Sequence, residues 1–505
     1  MASTFAGLSI ANRGLSASQI GLATTTNNMS NMNTTGYSRQ VVNQIAIGPA
    51  AVYSTSYVGA GAEVTSVDRV RSFRLDQKYW AENSSLGEWE AKSGYLEELE
   101  EILGTSADDT TFNTTMDEFY SALEALSEDP SSSAARAEVL EAGSAVCAYL
   151  NDAAKRLTQL RNDVNSDVKT AVTEINSYAQ QIADLNQRIG VATAAGASAS
   201  ELEDQRDALV DKLSELVDVE VIQNDNNTYT VTVGGATLVS GNKARELECY
   251  TIADGSSQDG LYGIRWADTG ATFSAGDSGS LKAYLDLRDG TGTDGAYKGI
   301  PYYMGQLDEF AQTFAKAFNE GIYKDGSSYY GGHAGGYGAD GTTGVRFFSY
   351  DGLSSDDLMA SGADTDAVYA NITAANISLT ADVTEDVDKI AASSASGEEG
   401  NNENVDDLLS ICKDSRMFNS GTPEDYYNSI IATLGTAASY ASRQNNIQSA
   451  IVAYIDDSRS SVSGVSSDEE TANLTKYQQA YEASAQMIST WNQIYATTIN
   501  MVSSD

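Results

Sequence analysis

Apolar residues return at every seventh position at both ends of the chain. Near the C-terminus Leu474, Tyr481, Ile488, Tyr495 and Val502 make one row, and Tyr477, Ser484, Trp491 and Thr498 fill the second position of each heptad. That spacing predicts one amphipathic helix carrying a coiled-coil seam. Ser467-Asp468-Glu469-Glu470 predicts its start as a capping box, in which hydroxyl and carboxylate satisfy reciprocal backbone donors. The seam runs almost to Asp505 and leaves a long apolar face needing a partner. Leu8, Leu15, Leu22 and Met29 form a matching N-terminal row, flanked by Ala11, Ser18, Thr25 and Met32. The small residues of that flank mean that a lone helix buries little apolar area, and isolated helices are marginal in water. The terminal helices are therefore expected to pair and to be completed by other subunits. Two plain surface helices on a globular core are the alternative.

Between the ends the period changes several times. Residues 41–67 mix short β-like runs with Gly48, Pro49, Gly59 and Gly61 and predict an extended connector with a hairpin. From Asp68 to Gly104 the helical spacing returns through Leu75, Tyr79, Leu86, Trp89, Leu96, Leu99 and Leu103, with Trp89 expected in the core. A short helix over 112–126 precedes Pro130, and the longest element starts near Ala134 and carries an apolar seam from Val146 through Leu160 and Ile175 to Ile189. About 60 helical residues at about 1.5 Å each span roughly 90 Å, which predicts a rod. Runs at 219–222, 229–233, 236–239, 245–252, 262–266 and 271–273 predict strands. Two helices are expected between Ser280 and Ile322, the second entered through Pro301. The glycine- and tyrosine-rich stretch 324–343 predicts either an exposed surface loop or a small embellishment, residues up to Ser393 return to strand-like composition, and 397–404 is expected as a linker. A return helix over 425–462 presents Ile431, Leu434, Ala438, Ala441, Gln448, Ile451, Ile455 and Val462 to the long rod helix. The fold expected is mainly α with a β-rich outer domain in the middle. Its divisions are 1–40 with 467–505 as a terminal coiled coil, 41–193 with 401–466 as a helical rod, and 194–400 as the outer domain.

Charge narrows the partners. With 30 basic and 71 acidic residues the formal charge is −41, which repels nucleic acid and anionic membranes. Cys147, Cys249 and Cys412 lie far apart without metal-ligand spacing and are expected as buried free thiols. There is no run of eighteen apolar residues and no cleavable signal pattern at the N-terminus.

Catalytic readings find little to use. His333 is the single histidine and lies among Gly331, Gly332, Gly335 and Gly336, so it is expected as an exposed loop residue, not the centre of a triad or zinc site. With 71 acids, carboxylate pairs arise by chance and are expected to solvate helix faces. Gly290, Gly292 and Gly295 fit a dinucleotide fingerprint but follow a helical run, which predicts a loop. The glycine–aspartate run 335–340 is a lone copy of a calcium repeat that works only in tandem. No catalytic residue, cofactor or metal is expected.

After the N-terminal helix the chain reads Asn31-Met32-Asn33-Thr34-Thr35-Gly36-Tyr37-Ser38-Arg39-Gln40. This resembles the Asn-x-Asn-Thr-Pro-Gly-Tyr-Ser-Arg-Gln signature of flagellar axial proteins, with Thr35 in place of proline. The runs at 162–168, 180–189 and 204–210, the segment 388–393 and above all 461–485 resemble the flagellar hook-associated protein 1 family. The resemblance covers most of the chain and implies a non-enzymatic subunit of the bacterial flagellum, a junction between hook and filament built by helical self-assembly. The assembly residues it implies are Leu8, Leu15, Leu22, Met29, Asn31, Asn33, Gly36, Tyr37, Leu474, Tyr477, Tyr481, Ile488, Trp491, Tyr495 and Val502. The implied partners are further copies of the chain, the hook protein, the third hook-associated protein and a cytoplasmic export chaperone on the C-terminal helix. Export would run through the flagellar type III apparatus. Two alternatives stay open: another axial protein, namely flagellin or the third hook-associated protein, and a secreted calcium-dependent adhesin or type III effector with helical rods.

Overall fold

The computed structural model describes residues 6–53, 56–104, 111–323, 329–360 and 364–502. Seven-residue spacing at the N-terminus gives α1 (Ala6–Ser30), which ends in an asparagine-rich turn where Gly36 takes φ +80°. The connector is a nested pair of antiparallel hairpins: β1 (Gln40–Ala46) pairs with β4 (Ala62–Arg69), and β2 (Pro49–Tyr53) pairs with β3 (Ser56–Gly59) inside it. Two helices follow, α2 (Phe73–Leu103) and α3 (Phe112–Glu128), the latter capped by Thr111 accepting from the Thr114 amide.

The rod is α4 (Ser133–Ala194), 62 residues, or about 93 Å at about 1.5 Å per residue. Ser132 caps it, and Val146, Leu150, Leu157, Leu160, Val164, Val168, Ile175, Ile182 and Ile189 along its seam are buried. After it the chain folds back as α5 (Ser200–Leu216) and enters a four-stranded antiparallel sheet of β5 (Val219–Gln223), β6 (Tyr229–Val233), β7 (Ala236–Ser240) and β8 (Lys243–Ala244), in that order. A separate hairpin joins β9 (Leu247–Thr251) to β10 (Tyr262–Trp266). Tyr229, Val231 and Val233 alternate inward, as a half-buried strand requires.

From Ser280 onward the chain is helical again: α6 (Ser280–Asp289), then α7 (Ile300–Glu320), with proline in its first turn. Short pieces follow: β11 (Gly321–Tyr323), β12 (Tyr329–Gly331), β13 (Phe348–Tyr350), α8 (Ser355–Met359), α9 (Thr365–Tyr369), β14 (Ile377–Leu379) and α10 (Ala381–Glu385). The return is α11 (Glu403–Cys412), α12 (Pro423–Ser463) and α13 (Ser467–Val502).

Among the described residues two large cores lie along the rod, with a small third one at Leu185, Ile189 and Ala199. One gathers Val168, Ile175 and Ile182 of α4 with Trp80 of α2, Val210 and Leu213 of α5, and the inner faces of the sheets. The other joins Leu96 and Leu103 of α2, Phe119 of α3 and Leu150 and Leu157 of α4 to α7, the 347–392 segment, α11 and α12. Its centre is a nest of rings, with Phe119, Phe314, Phe318, Phe347 and Phe348 at centroid distances of 5.3 Å and 5.5 Å among them.

The structure corrects several expectations. The β-rich reading suits 219–273 but not 280–392, where Leu307, Phe310, Phe314 and Phe318 place their apolar stripe on the rod helices. Trp89 is only half-buried, edge-on to Tyr440 at 5.4 Å, whereas Trp80 is 1% exposed. α12 packs chiefly along α2 and meets α4 near its start, where the Tyr427 and Tyr149 hydroxyls lie 3.0 Å apart; Leu434, Ala438, Ala441 and Ile455 are buried, while Ile451 and Val462 face outward. α13 is capped by Ser466 and not Ser467, since Glu469 N–H points to Ser466 Oγ at 3.5 Å. The capping box occurs on α12 instead, between Thr422 and Asp425.

His333 is fully buried. Ala391 N–H donates to its Nε2 at 3.0 Å, which leaves the proton on Nδ1 to reach the Val345 carbonyl at 2.8 Å. Its neighbours Gly332 and Gly336 have room for no Cβ against Asn319, Gly321 and Asn404, so glycines that sequence composition alone reads as openness mark close packing instead. The stretch 329–343 is accordingly knit in by β12 and by bridges from Tyr337 to Thr343 and Ser393, while 324–328 lie outside the described residues.

Candidate assembly interface

α1 and α13 run antiparallel, and the register is written in glycine. A Cβ built on Gly21 would stand 2.5 Å from the Tyr477 ring, one on Gly14 would stand 3.0 Å from Ser484 Oγ, and one on Gly7 would fall inside the Trp491 indole. Gly7, Gly14 and Gly21 are thus sockets at seven-residue steps for Trp491, Ser484 and Tyr477 at the same steps. A glycine in a helix interior costs about 1 kcal/mol against alanine, so three at this period reflect close approach of the partner helix. Ala11, Ser18 and Thr25 are buried beside them, while Leu8, Leu15, Leu22 and Met29 are half-buried along the edge. On α13 the expected seam is the less exposed face: Leu474, Tyr477, Tyr481, Ser484, Ile488, Trp491 and Tyr495 are all half-buried, Thr498 is exposed, and the Val502 side chain lies outside the described residues.

The asparagine-rich turn is a clasp. Tyr37 Oη donates to Asn28 Oδ1 at 2.8 Å, and Asn28 exchanges two bonds of 2.9 Å with the Gln40 backbone. Gln40 Nε2 reaches Glu201 at 2.9 Å, and Ser38 gives both its amide and its hydroxyl to Asp204, at 2.9 and 2.7 Å. Arg39 N–H donates to the Ser463 carbonyl at 2.8 Å while its guanidinium meets Glu469 at 2.6 Å. Asn31 folds back on Asn27 at 3.0 Å, and Asn33 is exposed. One turn thereby fastens the end of α1 to the starts of α5 and α13. Burial, then the charges of Glu201, Asp204 and Glu470, push the Tyr37 hydroxyl up to about 12.

Below the clasp lies a buried charge node. Arg69 pairs with Glu203, Asp204 and Asp207 at 2.8, 2.8 and 2.6 Å; Arg71 pairs with Asp76 at 2.9 Å and with Asp207 at 3.3 Å. Arg459 of α12 bridges Asp76 at 3.0 Å and Asp211 at 2.9 Å, and Trp80 Nε1 donates to Asp211. Burial by itself would raise the Asp207 carboxyl, but Arg69, Arg71 and Arg206 outweigh it and hold it below the usual carboxylate range. The node ties the connector, α2, α5 and α12 into one rigid joint beneath the terminal pair. Among the described residues no three His, Cys, Asp or Glu side chains converge to hold a metal, and no helix is long and apolar enough to cross a membrane.

Comparison with known proteins bears on this geometry. Residues 96–348 match the pattern described as the flagellar hook-associated protein FlgK helical domain. The ends match separately, residues 8–37 to the flagella basal body rod protein pattern and 458–501 to the C-terminal pattern of the basal body rod FlgEFG proteins. Flagellar hook-associated protein 1 of Bacillus subtilis (strain 168) is 30% identical, with 99% of each chain covered. The chain belongs to the flagellar hook-associated protein 1 family. The Escherichia coli (strain K12) protein of the same name is 26% identical over 97% of this chain and 98% of its own. A solved structure, the flagellar hook junction protein FlgK from Burkholderia pseudomallei, shares the fold with a TM-score of 0.60 at 17% identity, covering 77% of this chain and all of that one.

In this hook-associated protein 1 family member the structure brings Tyr477 and Trp491 against α1 and places Tyr37 and Gly36 in the clasp. Two features escaped the sequence reading. The glycine row at 7, 14 and 21 was legible as a third heptad position but is silent in a search for apolar residues. The Asp204–Asp207 pair, three residues apart on α5, was buried among many acids and became visible only through its arginine partners.

Proposed function

We propose that this chain is a structural subunit of the bacterial flagellum that forms the hook–filament junction by helical self-assembly through α1 and α13. Membership of the hook-associated protein 1 family supports the flagellar role. The observation that carries the mechanism is the half-covered terminal pair: α1 occupies one side of the α13 seam, while Met487 and Ile494, one heptad apart on a single face, remain 48% and 46% exposed. Contiguous exposed apolar surface of this kind marks an interaction face, and a contact repeated head to tail without closing generates a helical tube. The clasp and the charge node would hold the rod and outer layers at a fixed angle to that tube. The assembly residues are the seam and clasp positions from Leu8 to Tyr37 and from Leu474 to Val502. Partners on this reading are further copies, the hook protein, the third hook-associated protein and a cytoplasmic export chaperone on α13, with passage through the flagellar export apparatus.

Gold labelling of purified hook–filament structures tests the proposal, using the full chain and a Tyr477→Ala/Trp491→Ala variant. Label confined to the hook–filament boundary, and lost in the variant while the secreted variant keeps its helical circular dichroism, is the expected result. Label along the whole filament, or undiminished label in the variant, would overturn it.

A further inference from the structure

Among the described residues, the exposed large apolar side chains resolve into two helical rows and scattered single positions. On α12 Tyr440, Ile447 and Tyr454 follow at seven-residue steps with 47%, 51% and 73% exposure, and Ile451 and Val462 are exposed beside them. At 3.6 residues per turn all five fall within about 80° of the helix circumference. The only other residues on that stripe are Gln444 and Ser458, so it holds no charge in a chain whose net charge is −41. The second row is on α13, where Ala480, Met487 and Ile494, all exposed, also stand seven apart, beside the seam and away from α1. Each row spans two heptads, about 21 Å.

Within one chain neither row covers the other, because α13 pairs with α1 and α12 with α2. We infer that the α12 row of one copy receives the α13 row of a second copy. Equal period and equal length allow knobs-into-holes packing along the whole contact. An antiparallel register sets the protruding Tyr454 over the small Ala480, and Ile447 over Met487. Charge selects the same occupant: two copies at −41 each repel over most of their surface, and charge-free stripes are where they approach without apposing like charges. The contact uses different patches on the two copies, so it leaves one row open at each end and propagates. It joins the terminal pair of one copy to α12 of the next and rests on the self-assembly reading above.

Photo-crosslinking in assembled flagella tests it, with a benzophenone amino acid placed in the full chain at Ile447 or Tyr454, and at Leu15 of α1 as the reference. A copy-to-copy product from Ile447 that maps to residues 480–494 of the second copy is expected. Products that map elsewhere, products with a different flagellar protein, or no product while Leu15 crosslinks copies would overturn this contact alone. Absence of copy-to-copy products from both sites would overturn the self-assembly reading with it. A charge exchange adds a second test: Ile447→Glu at this exposed position should lower incorporation at least about tenfold, a loss of about 1.4 kcal/mol, and Met487→Lys in the same chain should restore it. Failure of Met487→Lys to restore incorporation counts against the pairing.

Discussion

Substituting Gly21 tests whether glycine sets the α1–α13 register. In a helix interior Gly→Ala normally gains about 0.8–1 kcal/mol. At Gly94 in α2 a new Cβ meets nothing within 4 Å, so Gly94→Ala should show that gain undiminished. At Gly21 the new Cβ would stand 2.5 Å from Tyr477 Cδ1 and Cε1. That is about 1 Å inside ordinary carbon contact, and such overpacking costs about 1–3 kcal/mol unless the partner retreats. The two terms nearly cancel or leave a net loss, so Gly21→Ala should be less stable than Gly94→Ala by about 1–3 kcal/mol. Gly14→Ala, with its Cβ 3.0 Å from a single hydroxyl, should fall between them. Hydrogen exchange resolved by fragment is the assay: Gly21→Ala should speed exchange over 471–495 and leave 146–189 of the rod unchanged. If Gly21→Ala gains stability as Gly94→Ala does and leaves α13 exchange untouched, the socket argument is wrong.

Removing Asp207, the fully buried member of the charge node, takes a counter-charge from both Arg69 and Arg71, which keep only Glu203, Asp204 and Asp76. Asp207→Ala should therefore cost about 3–5 kcal/mol in urea unfolding, and a loss below 1 kcal/mol would show that water enters the node. At the exposed rim, Glu469→Ala should cost less than about 1 kcal/mol, since Glu469 keeps 63% of its side-chain surface in solvent. Asp204→Asn, which weakens the Ser38 and Arg69 bonds together, should cost more than Glu469→Ala in the same titration. His333 gives the pH dependence. Burial, aided by Arg136 and opposed by the Val345 hydrogen bond, pushes it down to about 4 from 6.5. The unfolded chain then takes up a proton below 6.5 that the folded chain refuses until about 4, so stability falls as pH drops through that window. The fall should be about 3 kcal/mol, at about 1.4 kcal/mol per pH decade. Subtracting the pH profile of His333→Gln isolates the term, and identical slopes for the two proteins would refute it.

What the sequence determined by itself was whatever depends on local period. Heptads gave both terminal helices, the 3–4 seam gave the rod to within a residue of its observed start at Ser133, and alternation with paired glycines and asparagines gave β5 to β7. These signals are local because each helix or strand must place its own apolar positions on one face. The asparagine-rich motif located the clasp, although its bonds to Asp204 and Glu469 span 166 and 430 positions and could not be read from spacing. Tertiary structure alone decided three things. It decided which helix pairs with which, so that α12 runs along α2 and meets the rod near its start. It decided which of 71 acidic residues are buried: Asp76, Asp204 and Asp207 enter the interior where arginines from elsewhere in the chain offset their desolvation. And it decided that Gly332 and Gly336 pack against neighbouring segments beside the buried His333 and that the glycines of α1 admit Tyr477 and Trp491. A missing side chain has no pattern of its own, and its meaning is set by what comes to occupy the space.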